Sequence, residues 1–410
     1  MKILNKLIVT EMPVRGRDCT LYAEIEDGAG TREISFSPLD STGILGNIYI
    51  GQVERVVANI QGAFVRIGEG IVCFYSLKEQ EQAVYTNGKN KINGRYTLKA
   101  GDQLLVQVMR ESMRGKRPTV TSKLEFHGKY LILAAGISVL RVSAKLSSET
   151  RRRLKEWLAT EVTEEYGLIV RTNAGTADRE QIFQELDILK KRRRQVLEKG
   201  RSRTCYSLIQ EAQPFYLGAI QNAYTENLEE IVTDVPAVYE KILTYLTEYQ
   251  PEDLHKLRLY RDCLLPLYKL YALEDVLSGL LEKRVWLKSG GFLVIEQTEA
   301  FVSIDVNTGK YVSNKKSQET YHKINLEAAR EIAFQLRLRN LSGIILVDFI
   351  NLNQTEYENE LIYEFRKCLK RDRVKTDVVD MTALKIVEVT RQKVRRPVSE
   401  DFEALEHSFL

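Results

Sequence analysis

Two carboxylates and a carboxamide, Asp305, Asn307 and Asp348, carry the first chemical signal in this sequence. They lie in Phe301-Val-Ser-Ile-Asp305-Val-Asn307-Thr-Gly309 and Gly343-Ile-Ile-Leu-Val-Asp348-Phe-Ile-Asn351. Each segment is a β-branched and aromatic run with an acid near its end, the pattern of a strand that delivers a functional carboxylate. Side chains alternate along a strand, so Asp305 and Asn307 share one side and Val302, Ile304 and Val306 the other. Asp348 likewise points away from Val347 and Phe349. An acid buried among such neighbours is costly unless it is paired or bound to a metal. Two of them, on strands expected to be neighbours, predict a hard-cation site of the kind that Mg2+, or alternatively Mn2+, occupies. The blander reading, an Asp that caps a turn or pairs with an arginine, suits one isolated strand end better than two matched ones.

The residues between the acids must position them. From Tyr321 to Arg339, Ile324, Ala328, Ile332 and Leu336 recur every four residues beside Ala329 and Ala333, the stripe of an amphipathic helix. Strand, helix and strand form a crossover unit punctuated by Ser342-Gly343. If the two strands are parallel neighbours, both acids lie toward the carboxyl ends, where open α/β sheets bind ligands. Histidine at position 322, near the start of that helix, reads as incidental rather than as a general base.

Elsewhere the chain offers weaker signals. Short strands broken by glycine-containing turns, among them Gly62-Ala-Phe-Val-Arg-Ile and Ile71-Val-Cys-Phe-Tyr, suggest a small barrel between Gly46 and Lys123. Taken alone, Phe64 and Phe74 read as its core. The loop Arg171-Thr-Asn-Ala-Gly175 follows the apolar Leu168-Ile-Val170 run and gathers a guanidinium, a hydroxyl and pliable backbone, a donor set for a terminal phosphate. A salt bridge beside a tight turn accounts for Arg171 equally well. The runs Arg151–Arg153 and Lys190–Arg194 read as solvated helix faces. A cluster of Lys367, Lys370, Arg371, Arg373 and Lys375 suits either a path for a polyanion or plain surface. Residues 217–281 read as helical, with Asp253, Glu274 and Asp275 on polar faces.

Composition sets bounds. At 410 residues and 44% hydrophobic content the chain buries several cores and forms more than one domain. Its formal net charge of +4 does not announce a polyanion binder, so that evidence has to be local. Five widely spaced cysteines without a Cys-x-x-Cys suit a reducing compartment rather than a disulfide framework or a zinc knuckle. The first residues are too short an apolar run for a secretory signal, and no segment reaches the length of a membrane span. A cytoplasmic location is expected.

Several of these segments together resemble the ribonuclease E/G family. The Ser-Ile-Asp305-Val-Asn307 segment, Gln335-Leu-Arg-Leu-Arg339 and Val347-Asp-Phe-Ile look like its catalytic domain. Arg284-Val-Trp-Leu-Lys-Ser-Gly-Gly291, Gly167-Leu-Ile-Val-Arg-Thr172 and Asn47-Ile-Tyr-Ile-Gly51 resemble it too, in the family's order. The resemblance implies a multidomain α/β fold. Residues 1–40 with 217–281 would form an RNase H-like subdomain, 41–123 an inserted S1 (OB-fold) barrel, 124–216 a 5′-sensor subdomain and 282–397 a DNase I-like catalytic domain, with 398–410 as a tail. It implies a Mg2+-dependent endoribonuclease that cuts single-stranded RNA, such as rRNA precursors and mRNA, to 5′-phosphate and 3′-hydroxyl products and is stimulated by a 5′-monophosphate.

The same resemblance assigns roles. Asp305 and Asp348 would hold the metal, with Asn307 orienting the scissile phosphate. Phe64 and Phe74 would stack bases, Lys116 would contact phosphate, and Arg171 and Thr172 with Gly128 and Ile132 would form the 5′-phosphate sensor. Two departures stand out. Many members carry a carboxylate where this chain has Asn351, and the family's Cys-Pro-x-Cys zinc-link beyond the catalytic domain is absent, so no zinc is expected and a homodimer would rest on packing between catalytic domains. A non-catalytic S1-type RNA-binding protein is the alternative; a scaffold for other decay enzymes lacks the disordered arm it would need.

Overall fold

Residues 5–28, 30–40, 43–88, 97–112, 117–223, 228–262, 264–309 and 318–407 are described by a computed structural model of the chain. They fall into two units, one of Met1–Asp40, Asn227–Lys241 and Lys256–Leu410, the other of Ser41–Glu226 and Ile242–His255.

The first unit contains two sheets. In one, Asn5–Val14, Arg17–Glu26 and Gly30–Pro38 form an antiparallel meander, and Leu228–Thr233 and Leu257–Leu259 add in parallel beyond Asn5–Val14. Those last two strands correct the helical reading of residues 217–281. Each is too short to show a period of its own and is defined by what it pairs with. Helix Val398–His407 buries Val398, Phe402 and Leu405 in the same core, with Phe402 4.9 Å from Phe36, ring centre to ring centre.

The other sheet runs Arg284–Trp286, Phe292–Gln297, Phe301–Asn307, Gly343–Asp348, Ile386–Arg391, Thr376–Met381. Phe301–Asn307 and Gly343–Asp348 are its parallel pair, joined by helix Gln318–Leu338 as the crossover pattern predicts. That helix and Thr355–Leu369 cover one sheet face, burying Ile304, Val306, Ile345 and Val347 against Ile324, Ala328, Ile332 and Phe365. The Gln335-Leu-Arg-Leu-Arg339 run closes this helix. Buried Arg339 donates to Gln335 Oε1 and to the carbonyls of Glu282 and Gly279, so the motif ties helix to loop. Three residues of the basic cluster at the end of Thr355–Leu369 and beyond it are paired, Lys367 with Glu364, Arg373 with Glu24 and Lys375 with Asp377.

In the second unit, Ile48–Val57, Gly62–Gly68, Ile71–Ser76, Thr119–Thr121 and Gln103–Arg110 pair in that order, and Gln103–Arg110 returns to Ile48–Val57. The result is a closed five-stranded barrel of the S1/OB kind, filled by Val53, Ala63, Val65, Cys73, Tyr75, Leu104 and Val106. A four-stranded sheet of Leu140–Val142, Tyr166–Val170, Leu131–Ala135 and Glu125–His127 packs on helices Ser148–Leu158 and Arg179–Ser202. Asp253 is another correction. It is buried, and its carboxylate accepts from the buried Lys129 Nζ at 2.6 Å, a partner 124 residues away that no local pattern reveals.

Candidate active site

Asp305 and Asp348 are register partners on the two parallel strands, side by side on the sheet face opposite the helices. Burial alternates as expected, with Val302, Ile304 and Val306 inside and Asp305 outside; Ile345 and Val347 inside and Asp348 outside. One expectation fails: neither acid is buried, because that sheet face is open to solvent. Burial of the residual kind and then the charge of Asp305 hold the Asp348 carboxyl above the usual carboxylate range. Two like charges set side by side are what a cation relieves. Asn307 Nδ2 donates to Asp305 Oδ2 at 2.8 Å, fixing the carboxylate's orientation.

Two loops are pinned around the pair. The buried Asn325 of the crossover helix donates to the Ile350 carbonyl at 2.7 Å and accepts from Ile350 N, which holds the chain as it leaves Asp348. Gly309, in the left-handed region at φ 61°, leaves no room for a side chain, since a Cβ would stand 2.2 Å from the Gly290 carbonyl oxygen. The Ser-Gly-Gly291 turn and the end of the Asp305 strand are thus in direct backbone contact. Asn351 is exposed in the loop beyond Asp348. His322 is buried and stacked on Tyr357, 4.2 Å between ring centres. Among the described residues no group of three or more His, Cys, Asp or Glu side chains converges. The donors at hand are therefore two carboxylates and a carboxamide on an open face, which fits a hard cation that keeps several of its waters.

In the second unit, Phe64 and Phe74 are cross-strand partners on the outside of the barrel, so the core reading does not hold for them. The guanidinium carbons of Arg55 and Arg117 lie 5.1 and 5.0 Å from the Phe64 ring centre. Lys116 lies outside the described residues. Arg171 donates from Nη1 to the Gly128 carbonyl at 2.6 Å and from Nη2 to Asn222 Oδ1. Thr172 Oγ1 is 2.9 Å from Ser143 Oγ, and Ile132 pairs across from Ile169, two residues before Arg171. Beneath this loop the Glu185 carboxylate accepts from the backbone N–H groups of Lys129, Tyr130 and Leu131 at 2.6, 2.8 and 2.7 Å. Burial pushes Glu185 up to about 7, against the pull of those three donors and of Arg171.

A family model described as the Ribonuclease E/G family matches residues 125–394, a span that holds Arg171 and both acids. Ribonuclease G of Escherichia coli (strain K12) is 34% identical over 380 residues, covering 91% of this chain and 77% of its own. Ribonuclease G of Haemophilus influenzae is 33% identical over 395 residues, 95% of this chain and 79% of its own. Ribonuclease E of Synechocystis sp. is 29% identical over 360 residues, 85% of this chain and 52% of its own. The chain belongs to the ribonuclease E/G family.

The family's motifs, found in the sequence, do not exhaust the site. Glu185, Asn325, Arg55, Arg117 and Asn222 each hold a motif residue or its loop, and sequence reasoning missed all five. Only Glu185 left a signal, a carboxylate on the apolar stripe of its helix with Ile182, Leu186 and Leu189.

Proposed function

We propose that this endoribonuclease is metal-dependent, cleaves single-stranded RNA to 5′-phosphate and 3′-hydroxyl products, and works faster on RNA with a 5′-monophosphate. The observation that carries the catalytic part is the register pairing of Asp305 with Asp348 on an open sheet face beside Asn307. Asp305 and Asp348 would hold a divalent cation, Mg2+ in the first instance. Bound there, it supplies Lewis acidity and a water of lowered pKa. Asn307 holds Asp305 in orientation and keeps an amide near the reacting phosphate without adding negative charge. In the second unit, Phe64 and Phe74 stack bases outside the barrel, and Arg171 with Thr172 receives the terminal phosphate.

On this reading the meander sheet with its two parallel strands is RNase H-like, and the six-stranded sheet with its two helices is the DNase I-like catalytic domain. The substrates are processed and decaying RNAs, and the compartment is the cytoplasm. No described helix is long and apolar enough to cross a membrane. A pure RNA-binding role is less favoured, because it gives no reason to set two carboxylates side by side on a surface meant for a polyanion. The test is cleavage of an end-labelled single-stranded oligonucleotide with and without Mg2+, with Asp305→Asn as control. Metal-independent cleavage, or equal cleavage by the variant, would refute the assignment.

A further inference from the structure

We propose that Trp286, with Arg284 and Phe292, is a stacking platform for a nucleobase next to the scissile bond; the proposal rests on the endoribonuclease reading above. Arg284–Trp286 is the edge strand of the six-stranded sheet, and its register places Trp286 opposite Phe292 and Phe292 opposite Asn307. In the adjacent row Arg284 faces Val294 and Val294 faces Asp305. Both rows lie on the face that carries the acids. Two strand spacings, roughly 10 Å, separate Trp286 from Asn307 along that face.

Trp286 is 63% exposed, which a tryptophan with only a packing role would not be. The Arg284 guanidinium lies 4.4 Å from the Phe292 ring centre and 5.6 Å from that of Trp286, and the two rings are 5.3 Å apart. Among the described residues Arg284 has no carboxylate partner, so its charge is available to a phosphate. At the opposite edge Glu388 and Asp380 are register partners across Ile386–Arg391 and Thr376–Met381. A polyanion centred on Asp305 and Asp348 is drawn toward the Arg284 guanidinium at the Trp286 edge. A flat exposed indole stacks any base, and the guanidinium beside it meets the adjoining phosphate; single-stranded RNA offers both.

The experiment combines cleavage with fluorescence. On a 5′-hydroxyl oligonucleotide, Trp286→Ala should lower kcat/KM between about five- and a hundredfold, the range that base–aromatic stacking supplies, while Trp286→Phe keeps most of the rate. An abasic site moved through the substrate should reproduce the loss at one position flanking the cut and cause no further loss in Trp286→Ala. The chain has two tryptophans, so in a Trp157→Phe background the emission reports Trp286 alone. RNA added without divalent cation should quench it, and RNA abasic at the flanking position should not. Wild-type cleavage by Trp286→Ala, or additive losses at every abasic position, or no quenching, would overturn the platform. Quenching without any cleavage by the wild-type chain would overturn the catalytic reading and leave the platform standing as a base-binding site.

Discussion

Gly128→Ala should destabilise the second unit by about 3–5 kcal/mol and remove most of the preference for 5′-monophosphorylated RNA. A Cβ at this position would stand 2.4 Å from both Cδ and Oε1 of Glu185. The carboxylate has little freedom to retreat, because Oε1 accepts from Tyr130 N and Leu131 N and Oε2 from Lys129 N. Overpacking costs about 1–3 kcal/mol, and losing one hydrogen bond to a charged group costs about 1.5–3 more. For a unit of this size the sum lowers the melting transition by roughly 10 °C or more. The Gly128 carbonyl also receives Arg171 Nη1, so the turn that moves carries the guanidinium with it. Thermal unfolding of the full chain, with cleavage rates on 5′-phosphate and 5′-hydroxyl RNA, measures both effects. Glu185→Asp draws the carboxylate back by one methylene, about 1.5 Å, and in that background the alanine should cost much less. An undiminished cost there would show that the clash is not the cause and that Gly128 acts some other way.

Asp305→Asn or Asp348→Asn should cut the cleavage rate by more than the ~10–100-fold that outer partners of a metal command while RNA binding in a filter assay persists; most of the wild-type rate at saturating Mg2+ would contradict this. Arg171→Ala should make the rates on 5′-monophosphate and 5′-hydroxyl RNA equal, and a surviving difference would move the sensor elsewhere. Phe64→Ala should weaken single-strand affinity by the ~1–3 kcal/mol of one stacked base with little change in melting, since the ring lies outside the barrel; a large loss of stability would return it to the core. The raised pKa of Asp348 has a stability consequence. A carboxyl whose folded pKa lies above its unfolded one contributes stability that is full below the unfolded value and lost as pH rises through the folded value. Metal-free Asp348→Asn should therefore melt above the wild type at neutral pH and lose that advantage in acid, and equal melting at both would show that the folded chain does not raise the Asp348 pKa.

What the sequence disclosed, and what it hid, divides by the range of the interaction. Asp305 and Asp348 were legible because alternation is local, and the intervening stripe of Ile324, Ala328, Ile332 and Leu336 marks a helix, the connection that a parallel crossover uses. Their exposure was not, because whether a second layer covers that sheet face depends on elements far along the chain. The same limit explains Phe64 and Phe74. Their outward side is set by barrel closure through Gln103–Arg110, which no reading of the Gly62–Ser76 hairpin alone can supply. Charged groups that hold structure were the hardest. Lys129 and Asp253 are ordinary surface types in sequence, and the buried ammonium is tolerable because the Asp253 and Glu252 carboxylates both accept from it. Glu185 differs from them. Together with Ile182, Leu186 and Leu189 it occupies positions i+3, i, i+4 and i+7 of one helix face, so a carboxylate stands where the period demands an apolar side chain. Such a break in the stripe implies donors inside the fold, and a glycine-opened turn such as Gly128-Lys-Tyr-Leu131 is where unpaired backbone N–H groups arise. A carboxylate on a buried stripe and a turn that needs an acceptor are two halves of one prediction, and here they meet directly under the arginine assigned to the 5′-phosphate.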